Sequence, residues 1–260
     1  MSDPLFWLAE AARARTAAGL HRELRPRPPQ QHTASGGEPV LDLASNDYLG
    51  LARHPDVVAA AVAALHAYGA GATGSRLVTG DTDLHGELER ALAAKLGCAQ
   101  ALVFSSGYLA NLGAVTALAG PATLVVSDAR NHASLVDACR LSRARVAVVP
   151  HADLCAVEEV LTERTEERAL VVTDGVFSVD ADAAPVAALH EVCRRHGAVL
   201  LVDEAHSLGV LGAGGEGLCA AAGLTREPDL VVTVTLSKAL GSQGGAVLGP
   251  AGLREHLVDT

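Results

Sequence analysis

Long apolar runs alternate with amphipathic segments along most of the chain. Seven runs rich in Val, Leu and Ala predict strands, and they lie at 100–104, 123–127, 145–149, 169–173, 198–202, 230–234 and 245–248. Most of them show no polar alternation, as "AVLLVD" illustrates, and strands that are buried on both faces have this pattern. The pattern predicts an α/β fold in which a mostly parallel seven-stranded sheet carries helices on both faces.

Segments with helical periodicity separate these runs. Helices are predicted at 4–24, 55–69, 82–96, 108–119, 133–140, 153–164, 185–196 and 216–223. The stretch "VLDLAS", which ends at Ser45, predicts one further short strand. Residues 25–39 are rich in Pro, Gly and Gln and predict a linker. The expected organisation is therefore an N-terminal helix with its linker (1–39) and a large domain (40–260).

Composition narrows the class of protein. The 260 residues are 49% hydrophobic, and the net charge of −10 argues against nucleic acid or an anionic membrane as the main partner. No apolar run approaches the length of a membrane span, and the N-terminus lacks a signal peptide's pattern, so a cytoplasmic protein is expected. The five cysteines form no CxxC and the histidines form no HExxH, which predicts free thiols and no metal site.

Polar residues follow several of the predicted strands. In open α/β sheets, ligands bind beyond the carboxyl ends of the strands. Five such strand ends supply Gly107, His132, Ser178, Asp203, His206, Thr235 and Lys238. Taken singly, each has an ordinary explanation: Asp203 suits a helix cap, His206 a partly buried histidine, and Lys238 a solvated loop. Together they place an amine, a carboxylate and two histidines at one edge of the sheet.

The lysine at this edge is unusual for the chain, because only two of its residues are lysines. Lys95 lies near the end of the 82–96 helix, where a cation suits the helix dipole. Lys238 instead follows the apolar run "DLVVTVT". Arginine stays protonated in proteins, whereas a shielded lysine can become a neutral amine nucleophile. The position of Lys238 therefore favours a chemical role for its amine.

Pyridoxal phosphate matches this set of residues. It needs a lysine for a Schiff base, an acid beside its pyridinium nitrogen and a cup for its phosphate. Lys238, Asp203 and the helix start "SSG" that ends at Gly107 offer these three groups. No GxxxxGK[ST] and no GxSxG is present, which disfavours a nucleotide-binding loop and a serine hydrolase.

Seven stretches of the chain resemble the α-oxoamine synthases, a branch of the fold-type I pyridoxal-phosphate enzymes. They are "LASNDYLGLARHP", "GAGATGSRLVTGDTDLHGELE", "FSSGYLAN", "SDARNHASLVDACRLS", "TDGVFSVDADAAP", "LVDEAHSLGVLG" and "TLSKALGSQGG". The resemblance extends over about residues 5 to 260. It implies the large domain of a fold-type I transferase, and a twofold homodimer in which "GATGSR" (71–76) lies near the partner's phosphate.

The resemblance also implies roles for individual residues. Lys238 would form the Schiff base and move the substrate's α-proton, and Asp203 would pair with the pyridinium nitrogen. His132 would stack on the ring and meet the substrate. His206 and Ser178 would contact the phenolic oxygen of the cofactor. The amides of Gly107 and Tyr108, with the Thr235 hydroxyl, would hold its phosphate. Arg22 would contact the acyl substrate.

Within the family, "ASNDYLGL" and "EAHSLG" favour the branch of biotin biosynthesis. Its reaction is the decarboxylative condensation of L-alanine with a pimeloyl thioester, carried on CoA or on acyl carrier protein. Two alternatives stay open. One is a related synthase that resembles glycine C-acetyltransferase, and the other is a catalytically incomplete fragment that acts only as a binding module.

Three features depart from the family's pattern. His21 stands where an arginine is common, with Arg22 next to it, and Ala181 stands where glycine is common. If position 181 has a positive φ, alanine is strained there. Family members also continue past the lysine motif into a C-terminal small domain that is absent from this sequence. The expectation from this third feature is that residues 1–260 alone bind the cofactor poorly and turn over little substrate.

Overall fold

The protein is described by a computed structural model that covers residues 3–24, 26 and 41–260. The chain forms two compact units, Met1–Ser45 and Asn46–Thr260. In the first unit, helix α1 (Trp7–Ala17) is shorter than the predicted 4–24 helix. It ends because Gly19 adopts a positive φ of 68° and the Leu20 amide turns back to the carbonyl of Arg15 at 2.8 Å.

The short strand predicted at "VLDLAS" is wrong. The described residues 41–45 contain no strand. The Asp42 carboxylate instead accepts hydrogen bonds from the amides of Ala44 and Ser45, both at 3.0 Å. A side chain that binds neighbouring amides in this way competes with the ladder of a sheet. The predicted linker 25–39 lies almost entirely outside the described residues.

The second unit is built on a single mixed sheet. Within the described residues the sheet has seven strands, which are β1 (Gln100–Phe104), β2 (Thr123–Asp128), β3 (Arg145–Val149), β4 (Arg168–Asp174), β5 (Val199–Asp203), β6 (Leu230–Thr235) and β7 (Gly245–Gly249). Their order across the sheet is β1-β7-β6-β5-β4-β2-β3. Only β7 runs antiparallel to its neighbours β6 and β1, so the predicted mostly parallel seven-stranded sheet is confirmed.

Helices connect the strands and cover the sheet. They are α2 (Pro55–Tyr68), α3 (Asp83–Leu96), α4 (Gly107–Leu118), α5 (Ala133–Leu141), α6 (Leu154–Thr162), α7 (Val186–Arg195), α8 (Leu218–Ala221) and α9 (Leu253–Asp259). All except α9 were expected from the sequence. The helix predicted at 216–223 shrinks to one turn, because Gly217 and Gly223 both adopt positive φ and interrupt the helical backbone.

Two hydrophobic cores lie on the two faces of the sheet. Along β5, Leu200 and Val202 belong to one core, with residues of α3, α6 and α7, whereas Leu201 belongs to the other, with residues of α4, α5 and α9. Successive side chains of a strand point to opposite faces, so an unbroken apolar run is what a strand covered on both sides requires. Helices on both faces are therefore confirmed.

Strand register brings the polar strand ends into line. Asp174 at the end of β4 pairs with Asp203 at the end of β5, and Asp203 pairs with Thr233 of β6. Thr235, the last residue of β6, pairs with Gly245. The three central strands therefore finish at one level, where their following loops meet.

No helix among the described residues has both the length and the apolar character to cross a bilayer. All five cysteines lie in the described part of the chain and are free.

Candidate active site

A pocket of about 240 Å³ opens beyond the carboxyl ends of β4, β5 and β6. It lies where ligands bind in open α/β sheets. Seven of the residues singled out from the sequence line it, namely Gly107, Tyr108, His132, Asp203, His206, Thr235 and Lys238. They come from four different strand ends, and the topology alone brings them together.

Lys238 carries the pocket's amine. Its Nζ lies 2.7 Å from Nε2 of His206, and its side chain is half-buried. Burial lowers the pKa of Lys238, while the carboxyls of Asp203 and Asp174 act in the opposite direction. Burial disfavours the charged form of an amine, so Lys238 is easier to deprotonate than a solvated lysine.

Asp203 lies at the floor of the pocket with 8% of its surface exposed. Its carboxylate accepts hydrogen bonds from Nδ2 of Asn111 at 2.7 Å and from the amide of Ala205 at 2.9 Å. Asn111 is itself held in place, because its Oδ1 accepts a hydrogen bond from the hydroxyl of Thr233 at 2.6 Å. Burial raises the pKa of Asp203, and the two donated hydrogen bonds oppose that rise. A carboxylate in this position favours a cationic partner.

Asp174 is a second buried carboxyl beside Asp203. Burial, and then the charge of Asp203, raises the pKa of Asp174 to about 7. Both of its oxygens lie 3.2 Å from the amide of His132, which donates to them. Nδ1 of the His132 ring is hydrogen-bonded to the hydroxyl of Ser134 at 2.7 Å. Asp174 and Ser134 together define where the His132 ring stands at the wall of the pocket.

The start of α4 forms another wall. Ser106 caps the helix, and its hydroxyl accepts the amide of Leu109 at 3.1 Å. A Cβ on Gly107 would lie 2.9 Å from Cβ of Thr235, and one on Gly245 would overlap the amide of Gly107. Only glycines allow the helix start to approach β6 and β7 this closely. First-turn amides have no acceptor within a helix, so those of Gly107 and Tyr108 suit an anion.

His206 connects the amine to a second ring. Its Nδ1 lies 2.7 Å from the hydroxyl of Tyr48, on the side opposite Lys238. Burial, and then the charges of Lys238 and His132, lowers the pKa of His206 to about 4. His206 is therefore neutral near pH 7, with one ring nitrogen protonated and the other free to accept.

Two predicted residues lie elsewhere. Ser178, on the exposed loop after β4, is not among the described residues that line the pocket. That loop includes Ala181, whose φ of 58° confirms the strain expected for alanine at this position. Arg22 belongs to the N-terminal unit. The cofactor contact of Ser178 and the substrate contact of Arg22 stay predictions.

Several residues that make hydrogen bonds to the predicted pocket residues were not predicted from the sequence, among them Tyr48, Asn111, Ser134 and Asp174. Two of them carried a usable signal. Asn111 follows Gly107 by four residues, so it lies one helical turn away on the same side of α4. Asp174 ends a predicted strand with the pattern "LVVTD", parallel to "LLVD" at Asp203. Tyr48 and Ser134 carried no comparable signal, because their partners are decided by loop and helix placement.

One group outside the pocket has the composition of a metal site. Within the described residues, His190, Glu227 and Asp229 present ligand atoms within 4.8 Å of one another. His190 Nε2 lies 2.7 Å from Oδ1 of Asp229, which is an ordinary hydrogen bond between α7 and the segment that precedes β6. The absence of a bound metal stays a prediction.

Comparison with known proteins agrees with the fold and the motifs. The chain is 64% identical over 258 residues to 8-amino-7-oxononanoate synthase of Mycolicibacterium vanbaalenii, covering 99% of this chain and 66% of that relative. A solved serine palmitoyltransferase of Sphingomonas wittichii has a TM-score of 0.88 and 34% identity, covering 98% of this chain and 66% of that one. A solved SPT with PLP has a TM-score of 0.87, 34% identity and the same coverage.

These relatives bear out the resemblance to α-oxoamine synthases and the fold-type I architecture. The chain spans 66% of the length of the curated relative to which it is 64% identical. Residues 38–260 match the family described as aminotransferase class I and II, which is most of the chain. The protein therefore belongs to the aminotransferase class I and II family.

Proposed function

We propose that this chain provides the pyridoxal 5'-phosphate site, in the pocket beyond β4–β6, of an enzyme that condenses L-alanine with a pimeloyl thioester. The products are 8-amino-7-oxononanoate, CO2 and the free thiol of CoA or acyl carrier protein. The observation that carries the proposal is a half-buried amine, Lys238, in the same pocket as the buried carboxyl of Asp203. The 64% identity to an 8-amino-7-oxononanoate synthase supports the choice of substrates within the family.

The donor set of the pocket fits this cofactor. Among the described residues, no cationic side chain makes a hydrogen bond to the buried carboxyl of Asp203. A protonated ring nitrogen would offset the desolvation of this carboxyl. The start of α4 would hold the phosphate through the amides of Gly107 and Tyr108, with the Thr235 hydroxyl beside them. Because residue 107 is a glycine, the helix start can lie close to Thr235, where a Cβ would be only 2.9 Å from Cβ of Thr235.

The remaining residues would orient the two substrates. When bound, pyridoxal phosphate supplies an electron-accepting ring that stabilises negative charge on the amino acid's α-carbon. Lys238, whose pKa is lowered by burial, accepts the α-proton on Nζ and returns one at the end of the reaction. His132, whose amide donates to Asp174, would stack on the ring of the cofactor. His206 and Ser178 would hold the phenolic oxygen, and Arg22 would meet the acyl chain.

Attachment to Lys238 can be tested directly. The protein is incubated with pyridoxal phosphate, reduced with borohydride, digested and mapped by mass spectrometry. The pyridoxyl mass is expected on the peptide that contains Lys238. Lys95 is an internal control, because it is the other lysine of the chain and is exposed. Label on Lys95 alone, or on neither lysine, contradicts the proposal.

Substrate choice needs a separate assay. The protein is offered carboxyl-labelled alanine, glycine or serine in combination with pimeloyl-CoA, pimeloyl-acyl carrier protein, acetyl-CoA or palmitoyl-CoA, and release of labelled CO2 is followed. Release that depends on alanine and a pimeloyl thioester supports the proposal. Preferential release from glycine with acetyl-CoA, or from serine with palmitoyl-CoA, points to another member of the family.

We further propose that the active form is a twofold homodimer. The glycine-rich segment 71–76 lies beside an open pocket whose wall also includes Ser105 and Gly244, next to the start of α4. Arg76 of that segment is held by its own chain, through Glu89 and Asp81, each at 2.7 Å. Sedimentation at micromolar concentration tests the proposal, and a pure monomer contradicts it.

A further inference from the structure

A continuous line of hydrogen bonds leads from the amine of Lys238 to the protein surface. Nζ of Lys238 lies 2.7 Å from Nε2 of His206, and Nδ1 of His206 lies 2.7 Å from the hydroxyl of Tyr48. The Tyr48 hydroxyl also lies 3.2 Å from Oδ1 of Asn46, to which it donates. Tyr48 is 42% exposed, whereas His206 and Lys238 are half-buried. Tyr48 therefore connects the half-buried pair of His206 and Lys238 to water.

The position of Tyr48 is built into the fold. Gly241, three residues after Lys238, has a φ of 60°, and a Cβ on it would overlap the backbone nitrogen of Ala52. Gly209, three residues after His206, has a φ of 81°, and a Cβ on it would lie 3.3 Å from Cδ1 of Leu49. The segment around Tyr48 thus packs directly on the loops that carry His206 and Lys238.

The donors and acceptors along the line have one consistent order. An ammonium group on Lys238 has only donors, so Nε2 of His206 must accept from it. His206 is neutral near pH 7, because its pKa is lowered to about 4 by burial, then by Lys238 and His132. Its single ring proton therefore lies on Nδ1 and is donated to the Tyr48 oxygen. Tyr48 completes the order by donating its own proton to Asn46.

This order reverses when Lys238 loses a proton. One proton moves from Nζ to Nε2, and the proton on Nδ1 moves to the Tyr48 oxygen. The original hydroxyl proton of Tyr48 leaves to water, so that one proton is released in total and the neutral amine remains. His206 then carries its proton on Nε2, and Tyr48 donates to Nδ1. A hydroxyl can accept in the first state and donate in the second, which a phenylalanine ring cannot do.

We propose that Tyr48 is a positioning residue that accepts the Nδ1 proton of His206 and passes to water the proton that Lys238 releases. Nothing in the assignment of the pocket residues requires Tyr48, which does not line the pocket. The inference concerns the same site and in part rests on the proposed function. Its first test does not depend on the cofactor.

The first test is the tautomer of His206 in the full 260-residue chain without cofactor. Nitrogen-15 NMR of the ring, assigned by comparison with His206→Gln, reports which nitrogen carries the proton. We expect the Nδ1-protonated form in the wild type. In Tyr48→Phe we expect a changed Nδ1–H resonance, because the proton on Nδ1 has lost the phenol oxygen as its acceptor. Tyr68→Phe is the matched control, because Tyr68 is also a partly exposed tyrosine and ends helix α2. An unchanged His206 signature in Tyr48→Phe overturns the proposal.

The second test measures how fast pyridoxal phosphate becomes attached to Lys238, followed by its absorbance after mixing. Attachment requires a neutral amine, so Tyr48→Phe is expected to slow it about tenfold while the amount attached at equilibrium is unchanged. Tyr68→Phe is expected to match the wild type, and thermal unfolding confirms that both variants are folded. An equal attachment rate in Tyr48→Phe contradicts the proton path. Failure of every protein to attach the cofactor contradicts the proposed function instead, and the NMR result still decides whether Tyr48 accepts the Nδ1 proton of His206.

Discussion

The two lysines of this chain occupy contrasting surroundings. Lys95 lies near the end of α3, is exposed, and donates from Nζ to the carbonyl of Gly214 at 2.5 Å. Lys238 lies just beyond β6, is half-buried, and faces a ring nitrogen of His206 instead of a carbonyl or carboxylate. Burial lowers the pKa of Lys238, so this amine is easier to deprotonate than a solvated lysine.

The difference shows that placement, and not residue type, makes an amine available for chemistry. Lys238 is held where three strand ends meet, near two buried carboxyls that it does not contact within hydrogen-bond distance. That arrangement keeps the amine in the pocket and lowers its pKa through burial. Lys95 instead lies in solvent, in the last turn of α3. Four predictions test this contrast, in order of expected effect.

Replacing each lysine by arginine breaks the contrast most strongly. Lys238→Arg keeps a cation but removes the amine that can lose a proton, so condensation of alanine with a pimeloyl thioester is expected to fall by about a thousandfold or more. Lys95→Arg is expected to retain activity within about twofold, because arginine can also donate to the Gly214 carbonyl. Thiol release under saturating substrates measures both. Comparable losses in the two variants contradict the assignment of the reactive amine.

Asp203→Asn sharpens the contrast by removing the charge at the floor of the pocket. The amide can still accept from the amide of Ala205 and fills the same space, so the cofactor is expected to bind. Exchange of alanine's α-proton for deuterium is expected to fall by about a hundredfold, because the ring nitrogen loses the carboxylate that keeps it protonated. Proton NMR of alanine in deuterated buffer follows this exchange. A wild-type exchange rate in the variant rules out the proposed role.

The pH dependence of stability should separate Asp174 from His206. Folded Asp174 keeps its proton up to about pH 7, whereas an unfolded aspartate loses it near pH 4, so its contribution to stability falls as pH rises between these values. Folded His206 stays neutral down to about pH 4, whereas an unfolded histidine becomes protonated below about 6.5. Its contribution therefore rises with pH over nearly the same range.

Removing each group should therefore change the slope in opposite directions. From about pH 4.5 to 7, Asp174→Asn is expected to make the free energy of unfolding rise more with pH than in the wild type, by about 1–3 kcal/mol. His206→Gln is expected to make it rise less, by a similar amount. Urea unfolding of the cofactor-free protein at several pH values measures both. Slopes that change in the same direction would show that the two groups do not titrate as described.

The smallest effect is expected at the exposed lysine. Lys95→Met removes the hydrogen bond to Gly214 and one charge, while the long side chain can still lie along α3. Because the group is exposed, the free energy of unfolding should change by less than about 0.5 kcal/mol. Thermal and urea unfolding measure the difference. A loss of several kcal/mol would mean that Lys95 ties the Gly214 loop to α3 and that the contrast between the lysines is incomplete.

Much of the second unit could be predicted before its structure was known. The strands follow from unbroken Val and Leu runs, because a strand that is covered on both faces has no solvent side to require polar residues. The N-terminal segment was less predictable. Gly19 ends α1 early. The Asp42 carboxylate accepts a hydrogen bond from a backbone amide that would otherwise be free to pair with a neighbouring strand. Short local hydrogen bonds of this kind override a pattern of apolar residues when no neighbouring strand competes for them.

The residues of the pocket likewise include some that the sequence identifies and some that it does not. Gly107, Asp203 and Lys238 could be selected from the sequence, since residues that follow parallel strands gather at one edge of the sheet. Their partners could not. Asn111 contacts Asp203 across 92 positions of the chain, and Tyr48 contacts His206 across 158. No local pattern encodes such distances.

The amino-acid sequence by itself thus determined the strands, the helices between them and the residues at the strand ends, because burial and backbone preference act over neighbouring positions. Only the tertiary structure decided the state of those residues. It aligned Asp174 with Asp203, buried both carboxyls, and set His206 between Lys238 and Tyr48. The physical reason is that pKa values and hydrogen-bond order depend on burial and on groups a few ångströms away, which folding brings together from distant parts of the chain.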